Sequence, residues 1–204
     1  MKNKYYITVI LILSTIILYA YIQYGELNII KKEIVKEMEK KNNLFVELEI
    51  QKINRITELE FNGKLIDHED EITNTKGEKK KLYDVLGEKK LVLRYSELNC
   101  DDCIDKQIKY LNKYADSIGC ENIILLTNYN NNHHMQRFRK INRIKFEIYN
   151  IGKKLNENIR DINLPYLFII DRCNMRINNM FVPQKELPDQ TEKYFYEVYT
   201  KYFK

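Results

Sequence analysis

The chain has 204 residues, 44% apolar and 12% aromatic, enough for one domain with a substantial core and a smaller attached segment. Only 6 Gly and 3 Pro leave little room for a long disordered linker. The formal net charge of +5 comes from acids and bases interleaved along the chain. The longest basic run, Lys79-Lys80-Lys81 beside Glu78, reads as the edge of a loop. Electrostatic capture of nucleic acid needs a concentrated basic face, and the sequence has none.

The first element is the uncharged run Tyr5–Ile22, just long enough to cross a hydrocarbon core and longer than most signal-peptide apolar regions. Tyr5 and Tyr6 at one end, and Tyr19, Tyr21 and Tyr24 at the other, suit the two membrane interfaces. Residues 1–24 are therefore expected to be an uncleaved single-pass transmembrane helix. Ala20 could precede a cleavage site, but Leu18 fits poorly two positions earlier, and no cysteine follows to accept a lipid. The short leading segment is expected to stay in the cytoplasm. The bulk of the chain would then lie outside the cell (inner) membrane, in the periplasm or its equivalent.

Residues 25–62 read as a largely helical stalk, with Leu27, Ile30, Ile34 and Met38 recurring at three- and four-residue steps. The stripe could pair with a copy of itself, but little more than two heptads argues only weakly for a coiled-coil dimer. Asn42-Asn43 interrupts the pattern, and residues 44–63 fit helix or strand. The folded domain is expected over residues 63–204. There, apolar runs of strand length (Leu91–Ser96, Asn122–Thr127, Lys145–Ile151 and Tyr166–Asp171) alternate with helical patterns at Asp101–Ile118, Asn131–Ile141 and Leu187–Phe203. Buried strands alternating with helices imply an α/β fold whose sheet is parallel at its centre.

Of the four cysteines, Cys100 and Cys103 form a C-x-x-C pair, while Cys120 and Cys173 stand alone. The pair could be a redox disulfide, an inert staple or half of a metal site. A structural zinc site would want a second closely spaced pair, and His133-His134 sit in a polar Asn-rich stretch, so no metal is expected. If Leu91–Ser96 is a strand and Asp101–Ile118 a helix, Cys100 lies at the helix amino terminus. Unpaired N–H groups and the helix dipole there stabilise a thiolate. Cys103 follows one turn later, within reach to resolve a mixed disulfide.

The segment LYDVLGEKKLVLRYSELNCDDC resembles thioredoxin-like, membrane-anchored thiol–disulfide oxidoreductases of the TlpA/ResA type. Gly77, Leu82, Asp84, Gly87 and Lys90 fill the places of that family's pattern before its paired cysteines. A second match, DINLPYLFIIDRCNMRI, is similar to the family's later segment, in which a cis proline faces the cysteines. The resemblance covers residues 65 to 203. It implies a thioredoxin-like mixed sheet flanked by helices, with Cys100 and Cys103 catalytic and no cofactor. It also implies that Leu164 and Pro165 hold the substrate backbone, with Pro165 cis, and that a disulfide- or dithiol-bearing protein is the partner.

The family's aromatic residue before the first cysteine is replaced by Leu98-Asn99. Asp101-Asp102 replaces the usual dipeptide between the cysteines, and Arg172-Cys173-Asn174 replaces a glycine-containing turn. The peroxiredoxin pattern P-x-x-x-[TS]-x-x-C fails, because Glu97 stands at its Thr position. Asp101 and Asp102 complement the helix dipole but disfavour a neighbouring thiolate, so they are expected, with Glu97, to tune the pair toward a reductant or exchanger. In the implied strand order Cys120 and Cys173 lie at the opposite pole, two strand steps or about 9–10 Å apart, so free thiols are expected. The rival to an enzyme is a non-catalytic thioredoxin-like binding module on a membrane stalk.

Overall fold

A computed structural model describes residues 2–67, 69–96, 101–129, 131–151 and 164–204, with the side chains of all of these except 2–5, 7–10 and 101–103. The chain divides into two compact units, Met1–Ile53 and Asn54–Lys204. Helix α1, Lys2–Phe61, supplies all the secondary structure of the first unit and the opening turns of the second.

Within the first unit the helix runs through Asn42-Asn43 without a break, and residues 44–61, which the sequence left between helix and strand, are helical. Asn costs at most about 0.7 kcal/mol relative to Ala in a helix interior, too little for two of them to stop sixty helical residues. The expected transmembrane helix is thus helical. Among the described residues, however, no helix is long and apolar enough to cross a membrane. Leu27, Ile30, Ile34 and Met38 of the stalk stripe are exposed.

In the second unit α1 ends at Gly63, whose φ of +83° suits a residue without a Cβ. Strands β1 (Glu71–Asn74) and β2 (Lys79–Lys81) form a hairpin, and α2 (Leu82–Val85) follows. In the hairpin turn the Asn74 side chain accepts the N–H groups of Lys76 and Glu78, and Gly77 takes φ +88°. The Lys79–Lys81 run is therefore an edge strand rather than a loop edge. Its three exposed lysines discourage further strand pairing.

The remaining elements are β3 (Lys89–Arg94), α3 (Asp101–Ile118), β4 (Ile123–Thr127), α4 (Asn132–Ile141), β5 (Glu147–Asn150), β6 (Tyr166–Asp171), β7 (Ile177–Phe181) and α5 (Pro188–Val198). A π-helical turn, Tyr199–Phe203, extends α5. Among the described residues the strands form one sheet in the order β2-β1-β5-β4-β3-β6-β7, with β5, β4 and β3 parallel and the other pairings antiparallel.

Alternation along the central strands feeds two cores. Leu91, Leu93, Ile123, Leu125, Leu167 and Ile169 pack with Ile104, Ile108, Leu111 and Ala115 of α3 and with Phe195 of α5. On the other side Val92, Ile124, Leu126, Phe168 and Ile170 pack with Phe61 of α1, Ile66 and Leu82. The α3 residues recur at steps of four, three and four, the spacing that keeps one helix face on the sheet. Each fully buried Ile or Leu contributes about 1.5–3 kcal/mol, so Ile104 fixes the first turn of α3 against the strands.

The turn after β6 lacks the family's glycine and closes by other means. Asp171 Oδ1 accepts the Cys173 N–H at 2.8 Å, and Asn174 Oδ1 accepts the Arg176 N–H at 2.9 Å. Met175 takes a left-handed φ of 51° to complete it.

Candidate active site

The carboxyl end of β3 leads toward the cysteine pair. Leu91 to Arg94 are buried, and the Tyr95 N–H donates to the Leu126 carbonyl at 2.9 Å, so the strand's path is fixed beyond its last ladder residue. The buried Tyr95 ring stacks on Phe138 at 5.7 Å and meets Tyr129 edge-on at 6.0 Å, tying β3 to the β4–α4 connection. Ser96 is buried as well.

Glu97 and Cys100 lie outside the described residues. Asp101, Asp102 and Cys103 open α3, but their side chains are likewise outside the description. The backbone therefore puts Cys103 in the first turn of α3.

The second sequence match comes to the same pole through strand pairing. Arg94 faces Tyr166 in the antiparallel β3–β6 register. Pro165 is buried and Leu164 is 42% exposed. One implied feature is corrected. Among the described residues there is no cis peptide bond, and Leu164–Pro165 keeps the trans form that X–Pro bonds prefer by about 0.5–1 kcal/mol.

Arg94 is a residue whose importance the sequence reading missed. Only 5% exposed, it donates from one guanidinium nitrogen to the Tyr95 carbonyl at 2.8 Å and the Leu126 carbonyl at 3.2 Å. Its guanidinium ties the carboxyl ends of β3 and β4 together as a buried cation. The available signal was an arginine inside an otherwise apolar strand run, LVLRYS.

Cys120 and Cys173 are free thiols, the first half-buried in a short 3-10 turn (Cys120–Asn122), the second exposed in the β6–β7 turn. Leu91 faces Ile123 on one side and Ile169 on the other, so β3 separates the strands that carry them, at the pole away from the β3–α3 junction. At that pole the buried Lys90 ammonium donates to the Glu121 carbonyl. Burial holds its pKa below the ordinary lysine value, and the Glu121 charge partly offsets this. His133 and His134 are exposed in the first turn of α4, where the Asn131 side chain caps the helix by accepting the His133 N–H at 2.8 Å. Among the described residues no group of three or more His, Cys, Asp or Glu side chains could hold a metal ion.

No protein-family model matches the sequence, and no curated protein matches it significantly. Solved structures do. The thioredoxin domain of a thiol-disulfide oxidoreductase from Bacteroides vulgatus aligns at TM-score 0.51 and 16% identity, over 66% of this chain and 97% of that one. A protein described as the thiol:disulfide interchange protein DsbE from Chlorobium tepidum aligns at 0.52 and 14%, over 68% and 97%. A cysteine-to-serine mutant of PrxQ from Xylella fastidiosa aligns at 0.51 and 13%, over 68% and 95%. At these identities the likeness speaks for the fold. The mixed sheet of seven strands among the described residues, the helices packed on it and these alignments together show that the chain has a thioredoxin-like α/β fold.

Proposed function

We propose that this chain is a membrane-tethered thiol–disulfide oxidoreductase that reduces or exchanges disulfides of a protein partner through Cys100 and Cys103. One observation supports the reading: α3, whose first turn contains Cys103, begins shortly after the carboxyl end of β3 in a thioredoxin-like fold, and the sequence puts Cys100 just before it. Ligands of open α/β sheets gather at that end. A helix amino terminus there favours a thiolate.

The Cys100 thiolate attacks one sulfur of the partner's disulfide, forming a mixed disulfide and releasing the partner's other sulfur as a thiolate. The Cys103 thiolate then attacks the Cys100 sulfur, closing the intramolecular disulfide and freeing the partner's second thiolate. Two electrons pass to the partner, and its thiolates take up two protons according to their pKa values. The pair ends oxidised, and a dithiol donor must reduce it for turnover. The exchange requires no cofactor. Leu164 and Pro165, immediately before β6, would offer the backbone on which a partner segment adds as a strand.

Reduction of insulin disulfides with dithiothreitol as donor tests the activity. The wild-type rate should exceed the uncatalysed rate, Cys100→Ser should abolish the excess, and Cys103→Ser should accumulate mixed disulfides. A folded wild type with no rate above background would leave a non-catalytic binding module. The tether rests on the uncharged run Tyr5–Ile22 and its flanking tyrosines. Alkaline carbonate extraction of membranes tests it, since release of the intact full-length chain into the supernatant would overturn the anchor.

A further inference from the structure

We propose that the first unit pairs with a second copy of this chain, as a parallel two-stranded coiled coil over residues 26–52. Helix α1 continues through Asn42-Asn43, so one seven-residue register extends over nearly four heptads. Its inward positions are 27, 34, 41 and 48 (position a) and 30, 37, 44 and 51 (position d). Leu27, Ile30, Ile34, Leu44 and Leu48 fill five of these eight places and are 52–62% exposed in the single chain. Met38 and Phe45, exposed as well, fall at position e and widen the apolar seam.

The flanking charges select a second copy and its direction. In a parallel pair, position g of one helix meets position e of the other, five residues on. That brings Glu26 to Lys31 of the second copy and Glu47 to its Lys52, while Glu33 and Lys40 meet the apolar Met38 and Phe45. An antiparallel pair over the same residues sets g against g and e against e. Glu26 then meets Glu47 and Lys31 meets Lys52, with one attractive contact, Glu33 to Lys40. Lys52 lies 4.0 Å from Glu49 of its own helix, an exposed contact of little worth that leaves it able to reach across. The charged residues inside the seam fit the parallel register too. Helical side chains lean toward the amino terminus, so Lys41 leans back toward Glu37 of the second copy, one layer or about 6 Å earlier. A polar layer of this kind fixes register at a cost in stability.

Sedimentation of the full-length chain in a neutrally buoyant detergent tests this, and a concentration-dependent dimer is expected. Ile34→Asn combined with Leu48→Asn should weaken it roughly a hundredfold, through the loss of apolar burial in the seam. Val35→Asn combined with Ile50→Asn, at outward positions of the same helix, should leave it unchanged. Glu26→Lys combined with Glu47→Lys should weaken it roughly tenfold. Adding Lys31→Glu and Lys52→Glu to that variant should restore it, because the same pairs re-form with their signs exchanged. A chain monomeric at every concentration, a dimer indifferent to the inward pair, an equal loss from the outward pair, or no recovery in the fourfold variant would overturn the proposal. All of these residues lie in the first unit, away from the cysteine pair, so the result is independent of the redox reading.

Discussion

Glu58 of α1 accepts a hydrogen bond from the backbone N–H of Val182, 3.0 Å away and 124 positions later in the chain. One turn on, Asn62 Oδ1 accepts the N–H of Met180 at 3.0 Å, and the Gly63 N–H donates to the Ile177 carbonyl at 2.7 Å. β7 is an edge strand, and the end of α1 occupies the backbone groups that a foreign strand would otherwise use. These helical turns belong to the α/β unit.

Truncation follows from that relationship. A chain starting at residue 44 should give a soluble folded domain, whereas one starting at residue 63 should be unstable or aggregate. Glu58→Ala in the longer form should cost about 1–3 kcal/mol, because it leaves a buried N–H unpaired. Urea unfolding measures the loss, and an unchanged midpoint would remove the edge-capping role.

Thiol reactivity should be ordered along the helix. Cys100 precedes α3 and Cys103 lies in its first turn, so limiting alkylation of the reduced protein should label Cys100 first. Mapping the adduct by mass spectrometry checks this; preferential labelling of Cys103 would exchange the two roles.

Charge beside the pair gives a redox shift. Replacing Asp101 and Asp102 with Asn removes anions beside the pair, lowering the Cys100 pKa and making the disulfide easier to reduce. A change of one pKa unit is about 1.4 kcal/mol, equal to about 30 mV for a two-electron couple, so tens of millivolts are expected. The same Asp→Asn change also removes favourable helix-start charge, about 0.3–1 kcal/mol each, seen as lower stability in both redox states. Thiolate absorbance titration and glutathione equilibration read the two effects separately. An unchanged potential and thiolate pKa would discard the electrostatic account.

Stability should fall above pH 10, and Tyr194 should be a principal cause. Burial pushes its phenol well above the ordinary tyrosine value, and its hydroxyl donates to the Asn179 carbonyl at 2.9 Å. As pH rises through about 10 the unfolded chain loses this proton and the folded chain keeps it. The unfolded state is then favoured by up to about 1.4 kcal/mol per pH unit. Tyr149, raised by burial as well, adds a slope of the same sign. Tyr194→Phe should flatten the decline in urea titrations between pH 9 and 11. An identical slope in the variant would assign it to other groups.

Much of the central fold was legible in the sequence because its strands are buried on both faces. Tyr166–Asp171 and Asp101–Ile118 have the boundaries their apolar patterns mark, and β4 differs by one residue. The succession of β3 and α3 on either side of the C-x-x-C segment was readable for the same local reason. The edges were not legible. β2 consists of three exposed lysines, and β7, INNMF, carries two central asparagines, one with a φ of 48°. Such segments become strands because a neighbour's hydrogen-bond ladder recruits them, and no local periodicity records that. Glu58 and Asn62 look like ordinary solvated helix residues until α1 is laid against β7. Arg94 looks like an interruption until the strand end buries it. The sequence alone determined which central segments must be buried and that two cysteines stand three positions apart between β3 and the body of α3. Tertiary structure decided which polar groups end up paired or capped, since those outcomes depend on partners distant in the chain.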